Sequence, residues 1–245
     1  QPLTGTHHRT EQQSATLTSA QQELLAKEFP NLSVSDALAG LFCCFLRRMA
    51  DAESFDIGLQ SPEDNTLNSL YSARVPLNIA IDNKESIRTL TEKLAAKLTT
   101  TRSKKSYIRD LIPRTPSLSQ VSFPVAIETV DDLSKGCDGA NDTLVLTIKN
   151  NSTNYLWKYS PDSLSEESAQ QIIQKFNFFL ENSLAYLDAP LSQIYLVSED
   201  EMKTILVDWN KTEKAVEQDT CIHQLFEQQA AQQPDASEFS KKKLN

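Results

Sequence analysis

The chain has 245 residues, which at roughly 100–200 residues per domain means one large domain or two small ones. Its 24 Lys and Arg stand against 33 Asp and Glu, a net charge of −9, which excludes non-specific attraction to nucleic acid or an anionic membrane face. No apolar run reaches the 18 or so residues that predict a membrane-spanning helix.

The chain opens on Gln1 with no charged-then-apolar leader, which reads as a processed product or a fragment of a longer protein. Residues 1–14 are polar and aperiodic and predict a linker or a segment crossing the surface. A helix is predicted from about Ser19 to Phe29, with Leu24 and Leu25 inward and Pro30-Asn31 as its stop. Ser33 or Ser35 then caps a second helix to about Ala52. Its apolar residues Ala37, Leu38, Leu41, Phe42, Phe45, Leu46 and Met49 recur at helical spacing, and Cys43 and Cys44 make it apolar nearly all round. That pattern marks a central helix and makes both cysteines buried small hydrophobes.

Ser54–Leu59 predicts a short strand, Asn65–Ser72 a loop, and Ala73–Asp82 a strand with Val75, Leu77, Ile79 and Ile81 on one face. Pro76 lacks an N–H and makes that strand an edge strand or an irregular one. Ser86 to about Thr100 is a helix with Ile87, Leu90, Leu94 and Leu98 inward. The basic run Arg102–Lys105 follows as a solvated helix end, favoured by the negative C-terminal dipole. Pro113 and Pro116 bracket a turn, and Val121–Thr129 is a strand. Asp131–Asp142 is a polar loop with Gly136 and Gly139. Thr143–Lys149 and Tyr155–Ser160 pair as a hairpin across Asn150-Asn151-Ser152, since Asn tolerates the left-handed conformation such turns use. Ser163 or Ser165 caps a long helix to about Leu187, with Glu166 and Glu167 in its first turn. After Pro190 come a short apolar stretch, Leu191–Val197, then short amphipathic helices at 198–209 and 222–233. Some five strands and five or six helices in this order predict an α+β, two-layer arrangement with a mixed sheet.

The search for chemistry returns little. Five glycines, of which only Gly136 and Gly139 are close, exclude the common phosphate-binding fingerprints. Cys43, Cys44, Cys137 and Cys221 form no C-x-x-C, and His7, His8 and His223 form no cluster with zinc spacing, so no metal site is expected. Scattered cysteines suit a reducing, cytoplasmic compartment. His7-His8 lies in the aperiodic segment, and His223 reads as a packing or capping residue. Asp36 belongs to a helix N-terminus, and no carboxylate stands isolated in an apolar run. No catalytic residue is assigned.

The C-terminal third carries a pattern of its own. Leu191 to Thr212 (LSQIYLVSEDEMKTILVDWNKT) resembles the segment that leaves a condensation domain of a nonribosomal peptide synthetase, and Cys221 to Ala236 (CIHQLFEQQAAQQPDA) is similar to the "IHxLFExQAxxxPDA" opening of the downstream adenylation domain. Further back, Asp142–Ser183 resembles the hairpin and long helix of the family's C-terminal lobe. Leu118–Phe123 (LSQVSF) resembles its "PLFQVxF" strand, and Ser33–Gly58 its helix and strand ending in "D..IG". Other motifs are worn. Tyr71 keeps the aromatic of "G-x-F-V-N-T", but Ala73 stands where the Asn would be. The "H-Q-x-Y-P-F-E" region, near Ser103–Arg109, keeps little beyond Ile108, Asp110 and Leu111. The "R-D-x-S-R" run is reduced to Arg114 and Thr115. The catalytic HHxxxDG of the N-terminal lobe is absent, because His7-His8 has no Asp-Gly behind it.

The resemblance implies one lobe of a chloramphenicol-acetyltransferase-like (CoA-dependent acyltransferase) fold. Residues 1–14 would be a crossing segment or inter-lobe linker and 15–198 the C-terminal lobe. Residues 199–236 would be the condensation-to-adenylation linker with the start of the adenylation domain, and 237–245 a tail. It implies amide formation between carrier-bound aminoacyl or peptidyl thioesters, with the chain alone inactive for want of HHxxxDG. Its partners would be the N-terminal lobe, the adenylation domain and peptidyl carrier proteins, which bring the phosphopantetheine. Tyr71, Arg74 and Asn78 would face the substrate tunnel. The alternative is a non-catalytic docking or remnant module that binds carrier or adenylation domains.

Overall fold

In the computed structural model, which describes residues 10–50, 52–60, 74–104, 114, 123–135, 142–211 and 222–232, strand alternation organises a single mixed sheet. Its strands are β1 (Glu11–Thr16), β2 (Ser54–Gln60), β3 (Arg74–Ala80), β4 (Val125–Val130), β5 (Leu144–Lys149) and β6 (Asn154–Tyr159), in the order β1-β6-β5-β4-β2-β3. β2, β4 and β5 run parallel, while β3, β6 and β1 run antiparallel to the strands they join. Pro76 does lie on an edge strand. The β5–β6 hairpin turns at Asn151, whose φ of 49° is the left-handed conformation expected there.

The helices follow their caps. α1 (Ser19–Glu28) starts at Thr18, whose hydroxyl accepts from the Gln21 N–H while the Gln21 side chain accepts from the Thr18 N–H. α2 (Val34–Met49), α3 (Ile87–Ser103) and α4 (Glu166–Ala185) start at Ser33, Ser86 and Ser165, each hydroxyl accepting from the N–H three residues on. α2 is the central helix its all-round apolar character predicts. Phe42 and Phe45 meet Trp157 of β6 and Phe176 and Phe179 of α4 in edge-on and tilted contacts with centroids 5.3–5.7 Å apart. Rings of this size, all fully buried, dominate the core. α2 also approaches α3 closely, since a methyl on Gly40 would sit 2.8 Å from the Thr91 carbonyl oxygen. Ile57, Leu59, Leu77, Ile79, Ile127, Leu146, Ile148, Tyr155 and Trp157 turn one sheet face to these helices. The result is the α+β arrangement with a mixed sheet that the element pattern predicts.

Some expectations change. Residues 11–14, expected as linker, lie in β1, which raises the strand count from five to six among the described residues. β1 is an edge strand of polar residues with neither face fully covered, so it lacks the alternation that reveals a strand. β4 starts at Val125, later than expected, because Pro124 cannot donate to a ladder. The loop expected at 65–72 and the prolines expected to bracket a turn, 113 and 116, lie outside the described residues.

Gln1–Ser198 forms one compact unit and Glu199–Asn245 a second. In the second, α5 (Glu199–Lys203) runs into a π-helical turn at Thr204–Asp208, and α6 spans Ile222–Gln232. No helix among the described residues is long and apolar enough to cross a membrane.

Arg88, at the start of α3, ties three helix ends. Its guanidinium pairs with Glu28 and Asp188 at 2.9 Å each, donates to the Glu28 carbonyl at 3.0 Å, and lies 5.9 Å from the centre of the Phe29 ring. Hydrogen bonds from Arg88 hold both carboxyls below their ordinary values of 4.5 for Glu28 and 3.8 for Asp188. Depressed folded values contribute stability above the unfolded values and lose it as pH falls through the folded ones. Thermal melts of wild type and Arg88→Met should therefore differ fully at pH 6 and converge as the pH falls below 4.5. A gap unchanged down to pH about 2 would remove these carboxylates from the balance.

Candidate functional site

The sheet's second face, turned away from that core, holds an unusual amount of buried charge. Alternation puts Gln60, Arg74, Glu128, Thr147 and Lys158 on it, and the register sets Gln60 beside Arg74 and Glu128 beside Thr147. All five are buried, Glu128 and Thr147 at 0% exposure. Glu128 is the hub. Arg74 Nη2 lies 2.7 Å from one carboxylate oxygen, while Lys158 Nζ at 3.2 Å and the Thr147 hydroxyl at 2.7 Å donate to the other. Arg74 also reaches Asp142, just before β5, through Nη2 at 2.5 Å and Nε at 3.2 Å. Burial opposes the charge on Arg74, but the Asp142 and Glu128 carboxylates outweigh it and raise its pKa above the ordinary guanidinium value.

Two cations and two carboxylates make the cluster neutral in sum. Gly58 lies beside it, where a methyl would crowd Phe123 Cβ at 3.1 Å and Ala126 Cβ at 3.3 Å. The Gln60 side-chain oxygen accepts from the Thr129 N–H at 3.2 Å, tying β2 to β4 beside the ladder.

Of the three residues expected to face a tunnel, Tyr71 lies outside the described residues. Arg74 and Asn78 share the second face but sit four residues apart on β3, about 13 Å along the strand. Arg74 is buried in the cluster. Asn78 is exposed and donates to Asp56 Oδ1 at 2.9 Å, while its carbonyl accepts from Lys97 at 2.6 Å. Glu128, Asp142, Thr147 and Lys158 were not expected from the sequence. The expectation that no carboxylate is isolated in an apolar run fails at Glu128, which interrupts Val125-Ala-Ile with a charge, as Lys158 interrupts Tyr155-Leu-Trp.

Arg102 corrects another expectation. It is not a solvated helix end but pairs with Asp36 at 2.7 Å and donates to the Thr129 hydroxyl at 2.5 Å, joining α3 to the first turn of α2 and to β4. Asp36 thus answers to a cation as well as to the helix dipole. His223 is exposed on α6 rather than packed. His7 and His8 lie outside the described residues. Cys43 and Cys44 are free and buried, and burial pushes the Cys43 thiol up to about 12, which makes it a poor nucleophile.

No family model matches the chain. Among curated proteins it is 37% identical over 78 residues to bacitracin synthase 1 of Bacillus licheniformis, covering 32% of this chain and 2% of that protein. It is 24% identical over 208 residues to tyrocidine synthase 3 of Brevibacillus parabrevis, covering 83% of this chain and 3% of that protein. Among solved structures it superposes on the first condensation domain of the CDA synthetase with a TM-score of 0.58 at 16% identity, over 77% of this chain and 48% of that one. The chain is similar to short stretches of nonribosomal peptide synthetases and shares the fold of one half of a solved condensation domain. The condensation-domain fold here spans about half of that solved domain and only a few hundredths of the synthetases. Within it, the Glu128 cluster lies at the middle of the sheet, between an edge strand and the central hairpin.

Removing one partner from a buried ion cluster strands the others without compensation. Glu128→Gln should lower the unfolding free energy by about 3–5 kcal/mol in urea titration. A loss under about 0.5 kcal/mol would mean that Arg74 and Lys158 are satisfied without that charge.

Proposed function

We propose that residues 15–198 are the C-terminal lobe of a condensation domain that joins two carrier-bound acyl groups through an amide. In that reaction the acceptor amine attacks the donor thioester carbonyl. A C–N bond forms, the C–S bond breaks, and the thiol leaves with the proton that the amine gives up. The phosphopantetheine arms arrive as part of the two substrates, on carrier proteins. Most of the rate comes from holding amine and thioester in line, with help from a group that handles the proton.

The single observation that carries the reading is the superposition on a solved condensation domain over half of its length. Nothing in this lobe is assigned the proton transfer. That role falls to the other lobe, whose HHxxxDG this sequence does not contain. This lobe supplies a wall of the tunnel, formed at the exposed end of the sheet's second face. Tyr71, Arg74 and Asn78 are the wall positions proposed on β3 and its approach. Asn78 with Asp56 is the exposed polar part of that wall, and Arg74 the buried part. Residues 199–236 then lead to an adenylation domain. Free buried thiols at Cys43 and Cys44 go with a reducing, cytoplasmic setting.

The test is reconstitution. The full condensation domain, with both neighbouring carrier proteins aminoacylated, should yield the dipeptidyl carrier by intact-protein mass spectrometry. This chain by itself with the same carriers should yield none. Amide formed by the isolated chain would overturn the assignment of the chemistry to the other lobe. No amide from the full domain with its own carriers would overturn the reading as a whole.

A further inference from the structure

We infer that β2, β3 and α3 open from the rest of the first compact unit as one cooperative body, along the seam between β2 and β4, and that Arg74, Arg88 and Arg102 are the clips that hold this seam shut. Every contact involved lies inside this chain, so the opening is independent of the condensation reading.

The sheet is joined unevenly. β2 and β3 share seven register pairs, β4 and β5 six, β1 and β6 six, and β5 and β6 five. β2 and β4 share two, Gly58 with Ala126 and Leu59 with Ile127. That ladder is parallel, the slightly weaker kind per residue. It stops at both ends within the described residues, since neither Ile57 with Val125 nor Gln60 with Glu128 continues it. Past its end, the Thr129 N–H is taken by the Gln60 side chain at 3.2 Å.

Side chains close what the ladder leaves. Three arginines of the body reach across to carboxylates of the rest. Arg74 meets Glu128 of β4 and Asp142 before β5. Arg102 meets Asp36 of α2 and the Thr129 hydroxyl, and Arg88 meets Glu28 and Asp188. The Arg88 and Arg102 side chains keep 29% and 22% exposure, so water can take over their bonds when they part. The foot of α3 is attached through the main chain. There the N–H groups of Ile87, Arg88, Leu191 and Ser192 bond to the carbonyls of Ala189, Leu187, Glu85 and Asn83 at 2.8–3.1 Å. That end is the pivot.

Each part coheres by itself. In the body, α3 packs on β2 and β3, and Lys97 donates to the Asn78 carbonyl at 2.6 Å. In the rest, Phe42, Phe45, Tyr155, Trp157, Phe176 and Phe179 make all the ring contacts found among the described residues. The body adds aliphatic side chains such as Leu59, Ile79 and Leu94 to that core, so its departure leaves the aromatic packing whole. At Gly40, where α2 and α3 approach closely, α2 offers no side chain to interlock. The exposed pair Asp56 and Asn78 belongs to the body. A molecule held by that pair in one form only would shift the balance between closed and open forms.

Native-state hydrogen exchange of this chain over low urea concentrations tests the opening. The protected amides of 54–60, 74–80 and 87–103 should merge into one urea dependence. Their opening should be about tenfold or more frequent than that of 144–149, 154–159 and 166–185. Arg88→Met and Arg102→Met lie about 21 Å apart along α3. Each should speed exchange by about threefold or more, by a similar factor in all three segments of the body. A single urea dependence shared by the body and by β5, β6 and α4 would overturn the inference. So would an effect of each substitution confined to the helical turn that carries it. If neither variant folds, the wild-type urea dependences decide alone.

Discussion

A carboxylate with no solvent exposure holds the second face of this sheet together. Glu128 takes Arg74 from β3, Lys158 from β6 and Thr147 from β5. A lone buried carboxylate would be expelled or neutralised, so its presence obliges the neighbours to supply charge and hydrogen bonds. That obligation runs through the local sequence. It draws on the forked guanidinium at position 74, the ammonium at 158 and the hydroxyl at 147. The apolar face needs none of this, only volume and alternation, and it is filled by α2 and α4 with their aromatic rings.

The two faces therefore do different work. The helix-covered face provides the burial from which the fold draws its stability, at about 25 cal/mol per Å² of apolar area. The other face is charged and internally neutral at its buried end. At β2 and β3 it becomes exposed and polar, where Asp56 and Asn78 pair. A sheet with one apolar face needs only one layer of helices. On the second face the Glu128 cluster is buried within the chain itself, and the end at Asp56 and Asn78 is the part open to solvent.

Most of the fold was legible in the sequence, because it rests on periodicity and caps. α2, α3 and α4 announce themselves through Ser33, Ser86 and Ser165 and their apolar stripes, and the β5–β6 hairpin through Asn150-Asn151. β1 was not legible. A polar edge strand without a buried face has no period to read, and only its pairing with β6 reveals it. The buried cluster was half legible. Glu128 and Lys158 each interrupt an apolar strand, which is a visible signal. That they meet each other, Arg74 and Asp142 depends on a parallel β4–β5 register that no local pattern encodes. Arg102 was misread for a related reason. Helix-end basic residues usually favour solvent, and its partners Asp36 and Thr129 lie far away in sequence.

The most direct test of the proposal that the exposed end of the second face meets the N-terminal lobe of a condensation domain is amide hydrogen exchange in this chain, alone and with that lobe added. Residues 54–56 and 76–80, the exposed end of that face, should exchange more slowly in the pair, while the solvent side of α1 and α4 should be unchanged. Slowing confined to α1 and α4, with β2 and β3 unaffected, would contradict it.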